Sequence, residues 1–455
     1  MMKKNAELTV EIVDQGHQGE GIGKVEGYPL FIEFALPGEK VRAKVLKANK
    51  NYGYAKMLER VESSPHRQEP PCPYYYRCGG CHLMHSDYEA QLDFKKKRVK
   101  DSLERIGKIT HVTVEDTVPM EDPFRYRNKI QMPLGRVGGE FVAGFYARRS
   151  HRIIDMEACL VQHQQGDEVL AILRRWAEEF GISTYQKDEG VDPEGLLRHL
   201  MVRKGFRSGD LMVVLVSTKK EVPHVEELLE RLKPLKGFSS LILNINSEDT
   251  NVVLGKENIL LYGEDHITDH IGPFTFKVSP HSFFQVNPVQ TEVMYNKALE
   301  YADLKGTETV FDAYCGAGTI SLFLSQKAKK VYGVEIVPEA IADAKENARE
   351  NHVDNVEFLV GKSEEVIAEL IQQGIRADVM VVDPPRKGCE MKLLESIRDM
   401  APEKVVYVSC DPGTLARDLG ILESFGFRTE KVTPVDNFPM SYHVETVVLM
   451  SRVDK

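Results

Sequence analysis

From about Thr307 onward, the sequence repeats a strand, a turn with glycine or proline, and a helix. The apolar strand segments of these repeats are, in order, ETVFDAY, KKVYGVEI, VEFLVG, ADVMVVD and KVVYVS. Strands that alternate with helices form a doubly wound parallel sheet with helices on both faces. The sequence therefore predicts a Rossmann-like α/β domain over residues 276–455. Such sheets place their chemistry at the carboxyl ends of the strands.

The remaining residues predict two further domains, because a chain of 455 residues is too long for one hydrophobic core. Residues 1–62 contain about five short β-rich segments separated by glycine turns, which is typical of a small barrel of the oligonucleotide-binding (OB) type. Residues 63–275 open with a proline-rich linker and then mix helical and strand patterns. We expect an N-terminal β-barrel, a mixed α/β central domain and the C-terminal α/β domain.

Composition limits the cellular locations and the binding partners that we expect for the chain. Charged residues interrupt every long apolar segment, and the seven cysteines accompany no export signal, so we expect a cytoplasmic location and no membrane partner. The net charge of −10 argues against nucleic-acid binding by the whole surface. Residues 91–152 nevertheless hold 14 Lys and Arg against 8 Asp and Glu, clustered at 94–100, 125–129 and 147–152. We expect these clusters to line a groove for a polyanion rather than to form ordinary solvated faces.

Three motifs follow the strands of the α/β domain in register. Gly316 and Gly318 lie in the turn after the first strand, where they allow a ligand to approach the backbone. Glu335 ends the second strand 19 residues after Gly316, near the spacing at which an acid holds ribose hydroxyls. Asp383 opens the sequence DPPR after the fourth strand. A glycine pair alone is weak evidence, but a dinucleotide enzyme has no use for DPPR. Together the motifs indicate an S-adenosylmethionine methyltransferase.

Cys410 directly follows the fifth strand, in VVYVSCDPGTLARDL. A thiol in a core is usually an inert small hydrophobe, but one at the end of an α/β strand lies where chemistry takes place. Methylation at C5 of a pyrimidine needs both a thiolate and a methyl donor, because addition of the thiolate at C6 makes C5 nucleophilic. Arg386 and Lys387 are the cations that we expect to favour the thiolate. Cys389 and Cys315 are rival thiols, and we expect both to serve packing.

Six motifs resemble, in order, those of the RNA uracil-C5 methyltransferases of the RumA/TrmA type. They are HSFFQVN (281–287), FDAYCGAGT (311–319), VYGVEI (331–336), DPPRKG (383–388), SCDP (409–412) and HVETVVLM (443–450). The resemblance implies that Cys410 is the nucleophile and that Glu445 is the base that removes the C5 proton. It also implies that S-adenosyl-L-methionine is bound by side chains and turns that include Gln285, Tyr314, Gly316, Gly318, Glu335 and Asp383.

Four more cysteines form a group of their own, three of them in the spacing C-x5-C-x2-C and the fourth much later in the chain. They are Cys72, Cys78, Cys81 and Cys159. This pattern suits thiolate ligation of zinc or of an iron–sulfur cluster, and the spacing does not choose between them. His82 and His85 lie nearby in the sequence and are possible zinc ligands, so zinc remains an alternative to an iron–sulfur cluster. The family resemblance implies a [4Fe–4S] cluster that is structural or positions RNA.

Residues 1–62 resemble a TRAM domain, an RNA-binding β-module, through the glycines and the LPGE turn of GEGIGKVEGYPLFIEFALPGEKV. The module is nearly neutral, with 10 Lys and Arg against 9 Asp and Glu. RNA binding would then depend on where its cations lie. We expect a basic stripe along one strand face, formed by Lys40, Arg42, Lys44, Lys47 and Lys50.

The tRNA-specific branch of the family is expected to lack both this module and the cysteine group, so their presence predicts 23S rRNA as the substrate. The target uridine is expected in a loop and flipped out of its stack, because duplex RNA hides its base edges. We also expect a monomer. Three alternatives stay open: the same reaction on a T-loop uridine of tRNA, methylation of a base amine, and a catalytically dead RNA-binding iron–sulfur protein.

Overall fold

The structure is a computed structural model that describes residues 2–185 and 195–453, so residues 186–194 of the predicted central domain lie outside the described part. The chain begins with a closed barrel whose strands pair in the order β1-β2-β3-β5-β4. These strands are β1 Glu7–Gln15, β2 Gly21–Val25, β3 Tyr28–Glu33, β4 Lys40–Ala48 and β5 Gly53–Glu62. Closure leaves no sheet edge open to pairing with another chain. The predicted small β-barrel is confirmed.

The expected basic stripe on β4 forms in part. Lys40, Arg42 and Lys44 alternate with buried Val41, Ala43 and Val45, so the three cations share the outer face of the barrel. Acidic residues of the neighbouring strands lie beside two of them. Lys40 is 3.6 Å from Glu62, and Arg42 is 3.2 Å from Glu59. The stripe is therefore partly neutralised.

Helix α1 (Tyr88–Ser102) joins the barrel to the rest of the chain. Its first turn is capped by the side chain of Asp87, which accepts the N–H of Ala90 at 2.8 Å. A single π-helical turn, Leu103–Gly107, continues it until Lys108 adopts a left-handed conformation. The helix therefore ends in one wider turn.

The central part is a seven-stranded sheet of order β12-β11-β10-β9-β6-β7-β8, in which all neighbours except β10 and β11 are antiparallel. Its strands and helices are β6 Lys129–Val137, β7 Glu140–Tyr146, β8 Ile153–Asp155, α2 Gln164–Glu179, β9 Leu197–Lys204, β10 Leu211–Ser217, α3 Val225–Leu232, β11 Phe238–Ile245 and β12 Glu257–Gly263. Helix α2 packs on this sheet through the apolar stripe that includes Val169, Leu173 and Trp176.

A hairpin and a helix lead into the last sheet, which has the order β17-β16-β15-β18-β19-β21-β20. These elements are β13 Ile267–Ile271, β14 Phe274–Val278, α4 Pro288–Ala302, β15 Thr309–Ala313, α5 Thr319–Ser325, β16 Lys330–Glu335, α6 Pro338–Glu350, β17 Val356–Val360, α7 Ser363–Gln372, β18 Val379–Val382, α8 Met391–Met400, β19 Lys404–Ser409, α9 Pro412–Ser424, β20 Phe427–Val435 and β21 Glu445–Arg452. Strands β15 to β19 are parallel, and β20 and β21 are antiparallel additions at one edge.

Helices cover both faces of this sheet, so its central strands are apolar on both sides. All four residues of β18 are buried, as are Val405 to Val408 of β19. The Rossmann-like α/β prediction is confirmed. Within the described residues, no helix has the length and apolar character needed to span a membrane.

Candidate active site

The last sheet reverses its strand order between β15 and β18. Strand β15 pairs in parallel with β16 on one side and with β18 on the other. From there the chain proceeds outward through β16 and β17 in one direction, and through β19 in the other. Ligands of open α/β sheets bind in the crevice at the carboxyl ends of the strands where the order reverses. The loops with Gly316 and Asp383 follow β15 and β18 and therefore open on this crevice.

The turn after β15 leaves space for a ligand. Tyr314, Gly316 and Gly318 have φ angles of +72°, +54° and +81°. A Cβ atom at Gly316 would meet no described atom within 4 Å, whereas one at Gly318 would lie 2.7 Å from the Phe358 ring. Gly318 therefore permits close packing of α5, and Gly316 borders open space.

Asp312, which the sequence analysis did not single out, lies inside this turn. It is fully buried, and the hydroxyl of Ser321 donates to its Oδ2 at 2.5 Å. Its Oδ1 has no hydrogen-bond partner among the described residues. Burial raises the pKa of Asp312 to about 7. An acid in the apolar strand segment FDAY was the available sequence signal. The unpartnered oxygen and the open space at Gly316 fit a polar cofactor in this crevice.

Glu335 ends strand β16 beside the crevice, and Gln285 lies in the segment before α4. Oε1 of Glu335 accepts the N–H groups of Ile336 and Val337 at 2.8 and 3.0 Å, which fixes the acid at the start of α6. Gln285 is held through its backbone, since the side-chain amide of Asn128 donates to its carbonyl oxygen at 2.9 Å.

Phe283, two residues before Gln285, is 72% exposed, an unusual position for a phenylalanine. The sequence analysis missed it because exposure cannot be read from HSFFQVN. Its neighbour Phe284 is buried. The segment thus presents one aromatic ring to solvent and buries the other.

Tyr314 is half-buried, and burial raises the pKa of its phenol. The charged or ionisable neighbours that affect its pKa are Cys389, Glu364 and Glu390. The ring therefore lies toward the loops that follow β17 and β18. Cys389 is buried with its Sγ 3.6 Å from the Tyr407 hydroxyl, and Cys315 is also buried. Their surroundings agree with packing roles.

Cys410 and Glu445 are brought together by strand pairing. Strands β19 and β21 are antiparallel, with Ser409 opposite Thr446. The next position of this register sets Cys410 opposite Glu445, at the carboxyl end of β19. Asp383 ends the adjacent strand β18, and its charge influences the pKa values of both residues. A thiol and two carboxyl groups thus share one edge of the sheet.

At this edge, burial and the neighbouring carboxyl groups outweigh the charge of Arg386. Burial, and then the charge of Asp383, raise the pKa of Glu445 to about 8, and burial raises that of Asp383 to about 7. Burial, Glu445 and Asp383 raise the pKa of the Cys410 thiol to about 12. Arg386 opposes the rise at both Cys410 and Glu445. A further positive charge placed here would favour the thiolate and the carboxylates.

Helix α9 begins next to Cys410, which directly precedes the N-cap residue Asp411, and the charge of Asp411 raises the pKa of the thiol. The side chain of Asp411 caps the helix by accepting the N–H groups of Gly413 and Thr414 at 2.9 and 3.0 Å. The helix dipole places partial positive charge at this end. The hydroxyl of Thr414 donates to the carbonyl of Arg386 at 3.2 Å, which ties the DPPR loop to the Cys410 turn.

A hydrogen-bond network around Asp418 and Arg417 also fixes the loop that follows β18. Oδ2 of Asp418 accepts the hydroxyl of Tyr407 and the N–H of Cys389, both at 2.7 Å. The guanidinium of Arg417 donates to the carbonyl of Lys387 at 3.0 Å. Helix α9 thereby holds the loop after β18 at two peptide groups, in addition to the Thr414 contact.

The segment 436–444, which leads into Glu445, is held by distant parts of the chain. Lys95 of α1 forms a completely buried ion pair with Asp436. Arg98 donates to the carbonyl of Tyr442 at 2.6 Å, and Asn287 donates to that of Asn437 at 3.0 Å. Lys95 and Arg98 belong to the cluster 94–100 that we expected to face a polyanion. Lys95 cannot do so, because it neutralises a buried carboxylate instead.

The four cysteines of the predicted metal group converge on one region and form no disulfide. Cys72, Cys81 and Cys159 pack around the same buried side chains, which include Tyr126 and Met440. Cys72, Cys78 and Cys159 all affect the pKa of the Cys81 thiol. Thiols that are close enough to affect one another's pKa have the chemistry and the placement expected of ligands to a thiolate-bound metal. In the described part of the chain, however, no three His, Cys, Asp or Glu side chains already form a ligand set.

The cysteine region also contacts the segment before Glu445. The N–H groups of His82 and Leu83 donate to the carbonyl of Met440 at 2.8 and 3.0 Å. The ring of His82 lies 4.4 Å from that of Tyr442. His85, the other candidate zinc ligand, is 2.5 Å from the Tyr75 hydroxyl through Nδ1. The cysteine group therefore lies beside the sheet edge that carries Cys410 and Glu445 but outside it.

Comparison with known proteins agrees with this geometry. The family model described as tRNA (Uracil-5-)-methyltransferase matches residues 206–453, and the TRAM domain model matches residues 3–58. A Clostridium tetani protein named "Uncharacterized RNA methyltransferase" is 57% identical, covering 99% of this chain and 97% of that protein. A similarly named Listeria monocytogenes protein is 51% identical, covering 99% of this chain and 98% of that protein.

Among solved structures, the chain is similar to that of Pyrococcus abyssi tRNA (uracil-54, C5)-methyltransferase in complex with S-adenosyl-L-homocysteine. The identity is 27% and the TM-score 0.78, over 97% of this chain and 99% of that one. The similarity thus extends through all three parts of the fold.

Proposed function

Because the chain belongs to the tRNA (uracil-5-)-methyltransferase family, we propose that it methylates C5 of one uridine in 23S rRNA through a covalent adduct between Cys410 and C6. The observation that carries this proposal is the cross-strand position of Cys410 and Glu445 beside Asp383. A base-amine methyltransferase would need no thiol at this place. A catalytically dead protein would not need Cys410, Glu445 and Asp383 at one edge of the sheet.

The cofactor of this family is S-adenosyl-L-methionine, which supplies a methyl group on a positively charged sulfur. The residues that we propose to hold it are Gln285, Tyr314, Gly316, Gly318, Glu335 and Asp383. Glu335 suits the ribose hydroxyls because its carboxylate is fixed at the end of β16. Asp383 suits the cationic part of the cofactor, since its own surroundings lack positive charge.

The proposed reaction begins with the thiolate of Cys410, which forms a bond to C6 of uracil. The π electrons of the C5–C6 bond move toward the C4 carbonyl, and the base becomes an enolate. Its C5 carbon would then bond to the methyl group, whose bond to the positively charged sulfur would break and leave a neutral thioether. Covalent addition thereby converts a weak carbon nucleophile into a strong one and divides one difficult step into two easier ones.

Glu445 completes the reaction as the general base. Its carboxylate takes the proton that remains on C5, and the electrons of that C–H bond re-form the C5–C6 double bond. The Cys410 sulfur leaves C6 as a thiolate. The pKa of Glu445, about 8 before any ligand is bound, is close to the working pH, as expected of a general base.

We further propose that Cys72, Cys78, Cys81 and Cys159 hold a [4Fe–4S] cluster. The support is chemical: four unpaired thiols converge in one region of the fold. Protein purified without oxygen should then be brown and contain about four iron atoms per chain. A Cys81→Ser variant should lose iron, whereas Cys315→Ser should retain it. Colourless wild-type protein with one zinc per chain would overturn the assignment.

The N-terminal barrel does not favour rRNA over tRNA as the substrate. We expected tRNA enzymes of this family to lack the N-terminal module, but the P. abyssi tRNA enzyme aligns with 97% of this chain. That coverage leaves no room to omit the barrel, so the barrel does not distinguish the two substrates. The uridine of tRNA is therefore a second candidate, favoured by that structure. The cysteine group remains the argument for 23S rRNA.

Mapping of 5-methyluridine in a strain without the gene tests the substrate directly. Total rRNA and tRNA from the deletion strain and its parent are digested and compared by mass spectrometry. Loss of 5-methyluridine from 23S rRNA, restored by the wild-type gene but not by Cys410→Ala, is the expected result. Loss from tRNA alone would replace the rRNA proposal by the tRNA one.

A further inference from the structure

A cavity of about 630 Å³ lies where the barrel, the cysteine region, the β7–β8 hairpin and the segment before Glu445 meet. We call it the junction groove. None of the four clustered cysteines lines it, so it is separate from the proposed cluster site. It is also separate from the Gly316 crevice, since no residue of the turns after β15, β16 or β18 lines it.

The walls of the junction groove combine flat rings with hydrogen-bonding groups. The aromatic side chains are Phe34, Phe145, Tyr146 and Tyr442. Arg148 stacks over the Phe34 ring at 4.7 Å from its centroid, and its head group donates to the carbonyl of Cys81 at 2.5 Å. Aromatic walls of this kind are the stacking surfaces on which proteins bind unpaired bases.

Two buried polar atoms of the groove residues have no partner in the described part of the chain. They are Nε of Arg148 and Nδ1 of His82. A buried polar group without a partner is costly, and most such groups in native proteins find one in protein, water or ligand.

Two carboxylates in the wall select among possible occupants. Glu20 and Glu33 both line the groove, and Glu33 is 3.4 Å from Arg149. Carboxylates repel a phosphate group but accept hydrogen bonds from an exocyclic amino group, as they do from the amine of cytosine. A base that carries an amino group can therefore donate to these carboxylates, while Arg148 and Arg149, which line the same groove, suit the phosphates on either side of it.

The groove is connected to the catalytic edge through Tyr442. This wall residue lies three positions before Glu445, a separation of at most about 10 Å along an extended chain. Its ring is 4.3 Å from the ring of His443. An RNA strand with its target base beside Glu445 would therefore pass close to the groove.

We propose that the junction groove binds a non-target unpaired nucleotide of the substrate RNA, with adenine, guanine or cytosine as its base. The inference rests on the proposed RNA methylation. It adds a second recognition site, in which a neighbouring base determines which uridine is methylated.

Binding of fluorescein-labelled 12-nucleotide RNAs to the full-length protein tests the groove. Oligo(A) and oligo(C) should bind at least about fivefold more tightly than oligo(U). Glu33→Gln and Tyr146→Leu should each remove most of this preference. Glu257→Gln and Tyr262→Leu, substitutions on the distant strand β12, should leave it unchanged. Ultraviolet cross-linking of oligo(A) should map to groove aromatics.

Equal binding of all three RNAs by the wild-type protein would overturn the proposal. So would groove variants that weaken the binding of all three RNAs equally, or groove variants that leave the binding of all three unchanged. The last two results would indicate a general electrostatic surface or a protein partner. Covalent capture of 5-fluorouridine RNA by Cys410 is measured on the same proteins. If Cys410 captures the RNA but the protein shows no preference among the oligonucleotides, only the groove proposal is rejected. If the preference is present but Cys410 captures no RNA, the proposed methylation chemistry is rejected.

Discussion

Cys410 and Glu445 face each other across strands β19 and β21, one position beyond the pair Ser409 and Thr446. The two residues are 35 positions apart in the sequence, and antiparallel pairing alone brings them together. The proposed nucleophile is therefore positioned by the end of a parallel strand, and the proposed base by the start of an antiparallel one. Each proposed chemical role depends on the same hydrogen-bonded register.

Replacement of Glu445 by glutamine should separate the two halves of the reaction. Cys410 can still add to C6, and C5 can still be methylated, but no carboxylate removes the C5 proton. Protein and methylated RNA should therefore remain covalently joined and be visible as a shifted band on a denaturing gel. Glu403→Gln, an exposed acid near β19, is the matched control and should turn over normally. Release of product at the wild-type rate by Glu445→Gln would contradict the assigned role.

The rate of methylation should rise with pH between about pH 6 and about pH 8. The pKa of Glu445 is raised to about 8, so its basic form increases tenfold per pH unit below that value. The thiolate of Cys410 also increases with pH, because burial raises its pKa to about 12. Single-turnover formation of free methylated RNA, which needs both the Cys410 thiolate and the Glu445 carboxylate, is measured across this range and tests the sign. A rate that is flat or falls would contradict it.

Arg386→Gln should move this profile to higher pH, because Arg386 lowers the pKa values of Cys410 and Glu445. The control is Arg398→Gln, which removes an exposed cation 2.8 Å from Asp399. That variant should keep the wild-type profile. Equal pH profiles for the wild-type, Arg386→Gln and Arg398→Gln proteins would show that Arg386 does not stabilise the thiolate.

Lys95→Met should destabilise the protein by about 3–5 kcal/mol, because it leaves the buried Asp436 carboxylate without its partner. Its neighbour Lys96 pairs with the exposed Asp116, and Lys96→Met should cost at most about 1 kcal/mol. Urea unfolding of the two variants makes the comparison. Similar small losses in both would show that Lys95 does not anchor the segment before Glu445.

The sequence predicted the elements whose local pattern is strong. The strand–turn–helix repeat gave the parallel sheet, and the glycine turn and Asp383 were placed at the correct strand ends. Cys410 stood out because a thiol after an apolar strand is a local feature. The role of Glu445, in contrast, could only be expected from family resemblance, since its partner strand lies far away in the sequence.

Features that depend on burial or on long-range packing could not be read from the sequence. FKKKRVK has the composition of a solvated basic face, yet Lys95 within it is fully buried. Phe283 and Phe284 are adjacent and identical in type, but one is exposed and the other buried. The unpartnered oxygen of Asp312 depends on which hydroxyl the fold brings beside it. Such properties follow from tertiary contacts rather than from residue type.

Covalent trapping of 5-fluorouridine RNA by Cys410 tests the central claim most directly. Fluorine at C5 cannot be removed as a proton, so methylation should leave the thioether bond between Cys410 and C6 intact. Mass spectrometry of wild-type and Cys389→Ala protein should show the RNA adduct on the Cys410 peptide, and Cys410→Ala should show none. An adduct that persists in Cys410→Ala, or forms on another cysteine, would contradict the account.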